Sequence, residues 1–170
     1  MPRRALAIAA ALASLAPPSA RAQDISACAR FAWSVERERA AFAGADLPVL
    51  ASGSALPATG ASVRLNLQPT ADLALPFPSD RSAKPGTFAG FITVATPVEA
   101  GTYHVTVSED AWIDIGQDGT TALKPTSLSA QAGCPEVRKS ARFALRAAPV
   151  TIQISRASAR SIKVGFVRSE

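Results

Sequence analysis

The sequence predicts an all-β fold: an antiparallel β-sandwich or jelly roll of about eight strands with one short N-terminal helix. Segments in which apolar and polar residues alternate recur along the chain, and this period of two is typical of half-buried strands. Turn residues separate these segments, since the 170-residue chain contains 13 prolines and 10 glycines. The sequence lacks the crossover helices that a parallel sheet needs, which favours antiparallel pairing.

Residues 1–22 have the pattern of a secretory signal peptide. Two arginines give a positive start, residues 5–16 are small and mostly apolar, and residues 20–22 form a small-x-small cleavage motif. The apolar run of about a dozen residues is too short to cross a bilayer as a helix. We therefore expect residues 23–170 to form a single domain without an integral membrane segment, and the mature protein to be periplasmic or secreted.

One helix and eight strands are predicted along this domain. The helix spans residues 35–42 with Ser34 as its N-cap, because Val35 and Phe42 are seven residues apart and share a face. The strands are short runs of alternating or β-branched residues bounded by turn residues. They comprise residues 63–67, 73–77, 91–94, 103–107, 112–116, 143–145, 152–154 and 162–166.

The two cysteines, Cys28 and Cys134, are predicted to form a structural disulfide, because an exported chain folds in an oxidising compartment. An alternative is that residues 25–28 act as a lipobox, so that the protein is a lipoprotein anchored at Cys28. Two prolines and two charged residues separate these residues from the apolar run, however, and lipidation would leave Cys134 as an unpaired thiol. The sequence therefore favours the disulfide.

The charge of the mature chain argues against a nucleic-acid partner. The chain has 18 Lys and Arg against 13 Asp and Glu, but Arg3, Arg4 and Arg21 leave with the signal peptide. Fifteen basic residues then face 13 acidic ones, which gives a net charge of about +2. A nucleic-acid surface needs a basic stripe that neutralises phosphates, and the longest basic run is Arg138-Lys139.

Residues 102–120 contain the candidate ligand-binding side chains. We predict a hairpin between residues 103–107 and 112–116 with a three-residue loop, because this register pairs Val with Ile on one face. The opposite face then carries the set of polar and aromatic candidates. An indole beside a carboxylate and a hydroxyl can pack on a sugar ring and bond its hydroxyl groups. The alternative is that the indole is covered by the N-terminal segment or by a loop. The candidates are His104, Thr106, Trp112 and Asp114.

The sequence predicts no metal site and no cofactor. His104 is the only histidine, so zinc sites of His and Cys ligands and iron sites with two histidines cannot be assembled. Asp110, Asp114 and Asp118 recur every four residues, but on a strand this spacing is about 13 Å, too far for one calcium ion. A hydrolase-type enzyme that uses His104 and Asp114 remains an alternative, although the sequence has no nucleophile elbow or phosphate loop.

Three segments of the chain resemble known proteins: residues 84–91, residues 100–114 with the motif Gly-Thr-Tyr, and residues 134–143 that begin with Cys-Pro. They are similar to a group of small exported proteobacterial proteins of unassigned function, some of which carry the label homogentisate dioxygenase. That label implies an iron site, which the single histidine of this chain cannot supply. The Gly-Thr-Tyr strand also resembles jelly-roll domains appended to secreted peptidases and glycosidases, and this likeness implies an accessory module.

The sequence therefore predicts a non-catalytic periplasmic binding or accessory module whose partner is a glycan or another envelope component. Two alternatives stay open. One is the hydrolase-type enzyme, which requires a serine within hydrogen-bond reach of the histidine. The other is a structural or protein-interaction module, which would use an exposed sheet edge or apolar patch.

Overall fold

The computed structural model describes residues 27–94 and 96–169, and in this part of the chain two β-sheets pack face to face. Within the described residues, ten strands and a short α-helix confirm the all-β prediction. The predicted signal peptide lies outside the described residues. The helix is α1 (Glu36–Ala43), and the strands are β1 (Val49–Leu50), β2 (Ser62–Asn66), β3 (Gln68–Pro69), β4 (Phe88–Val94), β5 (Gly101–Val107), β6 (Trp112–Gly116), β7 (Ser127–Ala130), β8 (Lys139–Leu145), β9 (Val150–Ala157) and β10 (Ser161–Arg168).

One sheet has six strands in the order β1-β2-β10-β5-β8-β7, and the other has four in the order β3-β4-β9-β6. The pairs are antiparallel, apart from the short parallel pair β1–β2. The core lies between the two inner faces, where Val105 and Val107 of β5 and Ile115 of β6 are fully buried. Burying such side chains stabilises the fold by about 1.5–3 kcal/mol each.

The predicted hairpin between β5 and β6 is wrong. β5 pairs with β8 and β10 in the six-stranded sheet, whereas β6 pairs with β9 in the four-stranded sheet. Residues 108–111 therefore cross from one sheet to the other. An alternating strand points its apolar face to the same core whether its partner lies beside it or across the sandwich, so the pattern alone fits both arrangements.

Seven of the eight predicted strands are present, with small differences at their ends. Residues 73–77 form an irregular segment instead of a strand, because Pro76 and Pro78 cannot donate backbone hydrogen bonds to a sheet. β1 and β3 have only two residues each, and β7 contains only one large apolar residue, Leu128. None of these three strands has the length or the alternation on which the prediction depended.

The N-terminal part of the chain covers the outer face of the six-stranded sheet. Cys28 and Cys134 form the predicted disulfide, with their Cα atoms 4.7 Å apart. α1 begins one residue later than predicted, so that Val35 stands at the N-cap, and Ser34 Oγ only accepts a 3.4 Å hydrogen bond from the N–H of Glu36. A second apolar cluster holds this layer in place and consists of Ala27, Cys28, Phe31, Val35, Phe42, Cys134 and Val137.

This layer makes the outer face of the six-stranded sheet a second interior. Val35 is 2% exposed and Phe42 is fully buried, which confirms that they share a face of the helix. Phe42 packs near Gly165 of β10, where a Cβ atom would lie 3.5 Å from its ring. Within residues 27–94 and 96–169, no helix has the length and apolar character needed to cross a membrane.

Candidate functional site

The four side chains that the sequence singled out are divided between two sites. His104 and Thr106 belong to β5 and point out of the six-stranded sheet, because their neighbours Tyr103 and Val105 lie in the core. Trp112 and Asp114 belong to β6 and point out of the four-stranded sheet. The structure therefore does not bring the two pairs together, since the full thickness of the sandwich separates them.

Thr106 is fully buried beneath the N-terminal layer. Its Oγ1 lies 2.8 Å from Oγ of Ser140. Oγ of Ser140 also accepts a 3.1 Å hydrogen bond from Nε1 of Trp33. These hydroxyl groups thus bond to each other and to the indole, as buried polar groups usually do. Thr106 has a packing role at this place and is shielded from a ligand by the layer above it.

His104 is 8% exposed and packs against the ring of Trp33, with ring centroids 5.3 Å apart. Its Nε2 accepts a 2.8 Å hydrogen bond from Nε of Arg142, whose guanidinium also lies 4.3 Å from the Trp33 ring centroid. Burial, and then the positive charge of Arg142, lowers the pKa of His104 to about 4. The imidazole is therefore neutral at pH 7 with its proton on Nδ1, and the lone pair of Nε2, which a general base would use, is already bonded.

Trp112 and Asp114 form a bonded pair on the outer face of the four-stranded sheet. Nε1 of Trp112 donates a 2.9 Å hydrogen bond to Oδ1 of Asp114, and Oγ of Ser79 donates a 2.6 Å bond to Oδ2. Asp114 is 2% exposed, whereas Trp112 is half-buried. Burial raises the pKa of Asp114, although the hydrogen bonds from Ser79 and Trp112 oppose this effect.

Residues 73–83, which we call the covering segment, lie across this face. The ring of Phe77 packs over Gly116 of β6, where a Cβ atom would lie only 2.6 Å from its Cε1. Ser79 then reaches Asp114, and the guanidinium carbon of Arg81 lies 4.7 Å from the ring centroid of Trp112. The two prolines that exclude a strand here leave the segment free to follow the sheet surface.

Gln153 is a buried polar residue that sequence reasoning missed. It is the partner of Asp114 on the neighbouring strand β9 and is fully buried. Neither its Nε2 nor its Oε1 has a hydrogen-bond partner within the described structure. The alternation of Ile152, Gln153 and Ile154 places Gln153 on an outer face, and nothing in the sequence indicates that the covering segment buries that face.

Two concavities adjoin Trp112. The first, which we call the Trp112 groove, has a volume of about 190 Å³ and is lined by Lys84, Asp110, Ala111, Trp112, Lys139 and Arg156. The second, which we call the segment cleft, has about 490 Å³ and lies between the covering segment and Ser155. They are neighbours, because Arg81 lines the cleft and lies on the ring of Trp112, which lines the groove.

The Trp112 groove has a positive charge. Nζ of Lys139 lies 2.9 Å from Oδ1 of Asp110 and donates a 2.6 Å hydrogen bond to the carbonyl oxygen of Ala111. The hydrogen bond from Lys139 and the charges of Lys139, Arg138 and Lys84 hold the pKa of Asp110 below its ordinary value. This carboxylate thus lies in a field that favours negative charge.

The three regularly spaced aspartates have separate roles. Asp110 pairs with Lys139, and Asp114 bonds Ser79 and Trp112. Asp118 accepts hydrogen bonds of 2.9 Å from the backbone N–H groups of both Thr120 and Thr121, which fixes the turn after β6. Within the part of the chain that the structure describes, no three His, Cys, Asp or Glu side chains form a group that could hold a metal ion.

A cavity of about 560 Å³ opens at one end of the sandwich between residues 55–59 and residues 96–99. Its charged side chains, Glu99 and Arg168, form an ion pair. The hydroxyl group of Tyr103 donates a 3.0 Å hydrogen bond to the carbonyl oxygen of Glu99. These polar groups are therefore already engaged with one another.

No protein-family model, curated protein or solved structure matches this chain. The functional argument therefore depends on the geometry of the site.

Proposed function

We propose that this protein is a non-catalytic binding module of the periplasm or cell exterior, and that the Trp112 groove binds a glycan of the envelope. One observation carries the proposal: the half-buried indole of Trp112 borders a groove of charged side chains, and its N–H is fixed by Asp114. An indole held in one orientation offers a rigid contact surface at a low entropic cost.

The neighbouring segment cleft supports an extended ligand. Hydroxyl-bearing side chains line it, among them Thr70, Ser82 and Ser155, and it meets the groove at Arg81. A chain of several sugar units can contact the indole with one unit and the hydroxyl groups with the next. The predicted signal peptide and the Cys28–Cys134 disulfide support an oxidising location outside the cytoplasm.

Isothermal titration calorimetry tests this proposal with peptidoglycan fragments, lipopolysaccharide core oligosaccharides and capsular oligosaccharides as probes. The wild type is expected to bind one probe class, and Trp112→Ala is expected to weaken binding by about tenfold or more. The matched control is Trp33→Phe, because Trp33 also has a bonded N–H and an arginine over its ring but lies on the opposite face.

The proposal predicts that Trp33→Phe binds within about twofold of the wild type. Intrinsic fluorescence in this Trp33→Phe background then reports Trp112 alone, and ligand binding should change it saturably. The proposal is refuted if Trp112→Ala binds like the wild type, or if Trp112 is quencher-resistant and unchanged by every probe.

A second candidate function is protein interaction through the edges of the six-stranded sheet. Among the described residues, the large hydrophobic side chains that stay exposed are Val49 at 60% and Leu128 at 47%. They lie on β1 and β7, the two edge strands of this sheet. Edge strands present unpaired backbone groups to a partner chain. Where the partner is a second copy of this chain, sedimentation velocity should show self-association of the wild type that Leu128→Lys reduces.

A further inference from the structure

We propose that the ligand of the Trp112 groove is an acidic saccharide, with a sugar ring against Trp112 and the sugar carboxylates bound by Lys84 and Arg156. This inference rests on the proposed function and specifies its ligand class. Three cationic side chains line the groove, Lys84, Lys139 and Arg156, against one carboxylate, that of Asp110. A neutral glycan has no negative charge that could pair with this excess of positive charge.

The groove already holds one carboxylate of the protein itself. Asp110 Oδ1 lies 2.9 Å from Nζ of Lys139, and the lysine side chain is only 13% exposed while that of Asp110 is 67% exposed. Lys139 is thus fixed in position by an internal anion. Lys84 and Arg156 are exposed at the same groove, so their charges face an incoming ligand.

The backbone at Arg156 supports a role for this side chain. Arg156 has φ 59°, in the left-handed region that favours glycine. An L-residue with a side chain costs about 1–2 kcal/mol in this conformation. It follows Ser155, the strand partner of Trp112, at an irregularity in the pairing of β4 and β9, and it lines the groove together with Trp112. Strained residues of this kind cluster at ligand sites.

The aromatic ring favours a saccharide over an acidic peptide. An acidic peptide needs only the cations, whereas a sugar ring also uses the apolar indole surface between them. The guanidinium of Arg81 lies over the ring of Trp112, 4.7 Å from its centroid, so the sugar packs against the part of the indole that lines the groove. A guanidinium can bond both oxygens of a carboxylate, which makes Arg156 the side chain with the more specific geometry, and Lys84 supplies a point charge.

The test is calorimetric titration of the full chain with galacturonic acid oligomers and with the same oligomers as methyl esters, which lack the charge. The acid form is expected to bind, with an affinity that falls as the salt concentration rises, because exposed charges are screened. The ester is expected to bind at least fivefold more weakly. A poly-glutamate peptide of matched charge is the control for an acidic protein ligand.

Arg156→Gly is the decisive variant, because glycine suits the left-handed backbone and the variant should fold at least as well as the wild type. It is expected to weaken binding of the acid form about twofold to fivefold, and Lys84→Met/Arg156→Gly further, in line with the energies of exposed charge pairs. Arg160→Gln is the matched control: it removes the same charge from an exposed arginine that packs on Phe88.

Each outcome separates this inference from the proposed function. The inference and the proposed function are both supported if the protein prefers the acid oligomer, Arg156→Gly reduces this preference and Arg160→Gln preserves it. Equal binding of acid and ester through Trp112 keeps the glycan module but overturns the acidic ligand. If poly-glutamate binds and neither the acid nor the ester oligomer binds, both the acidic saccharide and the glycan-binding function are overturned. If no oligomer here and no probe in the envelope panel binds, the proposed function fails, and the inference fails with it.

Discussion

His104 provides the clearest energetic prediction, because the structure assigns it a neutral imidazole that the solvent cannot easily protonate. Its ordinary pKa of 6.5 falls to about 4 in the folded protein. A proton therefore binds the unfolded chain more readily than the folded one. The stability linked to His104 is fully present above pH 6.5 and is lost as the pH falls from 6.5 toward 4.

The size of this effect follows from the pKa change. The difference between 6.5 and about 4 corresponds to about 3 kcal/mol when complete, at 1.36 kcal/mol per pKa unit. At pH 5 the linkage relation gives about 2 kcal/mol of this loss. Protonation would also remove the Nε2 lone pair that accepts the hydrogen bond from Arg142 and place two cations side by side.

The assay is urea denaturation of the wild type and His104→Gln at pH 7.5 and at pH 5. The glutamine oxygen can accept the hydrogen bond from Arg142 but does not titrate in this range. The free energy of unfolding of the wild type should fall by about 2 kcal/mol more than that of His104→Gln between the two pH values. If the free energy of unfolding falls equally in the two proteins, the buried, neutral imidazole is refuted. The difference between the two proteins at pH 7.5 gives the cost of the substitution itself.

Four further predictions concern the layers over the two outer faces. Cys28→Ala/Cys134→Ala should lower the free energy of unfolding by about 2–5 kcal/mol, measured in urea, because the disulfide closes a loop with a sequence separation of 106. Gly116→Ala should lower the melting temperature and reduce the free energy of unfolding by about 1–3 kcal/mol, because the new methyl group would clash with the ring of Phe77. Asp114 should destabilise the fold as the pH rises through its raised pKa, and Asp114→Asn should remove this dependence. Asp114→Ala should cost about 1–3 kcal/mol by leaving two half-buried donors, the Ser79 hydroxyl and the Trp112 N–H, unbonded. Gln153→Met should stabilise the protein by about 1 kcal/mol, because it replaces a buried amide without partners, and an unchanged or lower denaturation midpoint would show that the amide is satisfied.

The strands could be predicted because one face of each is buried in the same core. Val63 and Leu65 on β2 and Val105 and Val107 on β5 alternate with polar residues, and all four are fully buried. The disulfide could be predicted because the chain has only two cysteines. In each case a local pattern has one physical solution: a half-buried strand, or a bridge between two thiols in an oxidising compartment.

The partners of the strands could not be predicted in the same way. Val107 and Ile113 face the same core, but from opposite sheets. The burial of the two outer faces could not be predicted from the sequence either, because His104 and Gln153 are polar residues of the kind found at exposed positions. They are buried by segments distant in the chain, the N-terminal layer and the covering segment. Which polar face of a sheet is covered depends on the tertiary structure and cannot be inferred from the alternation of apolar and polar residues along a strand.

The proposal that Trp112 binds a ligand has to distinguish it from Trp33, which has the same local arrangement. Each donates its indole N–H to an oxygen, Trp33 to Ser140 and Trp112 to Asp114, and each has an arginine guanidinium over its ring. Trp33 belongs to the layer that the disulfide ties to the sheet, and it packs on the neutral ring of His104. That indole lines two concavities of about 250 and 420 Å³, whose charged side chains are of mixed sign: Glu36, Arg37, Glu38, Arg39, Arg142 and Arg168. Trp112 instead borders an open groove with excess positive charge, so an anionic ligand can approach it without a change in the fold. The proposed recognition by Trp112 therefore depends on the charge of the surrounding groove more than on the bonds of the indole itself.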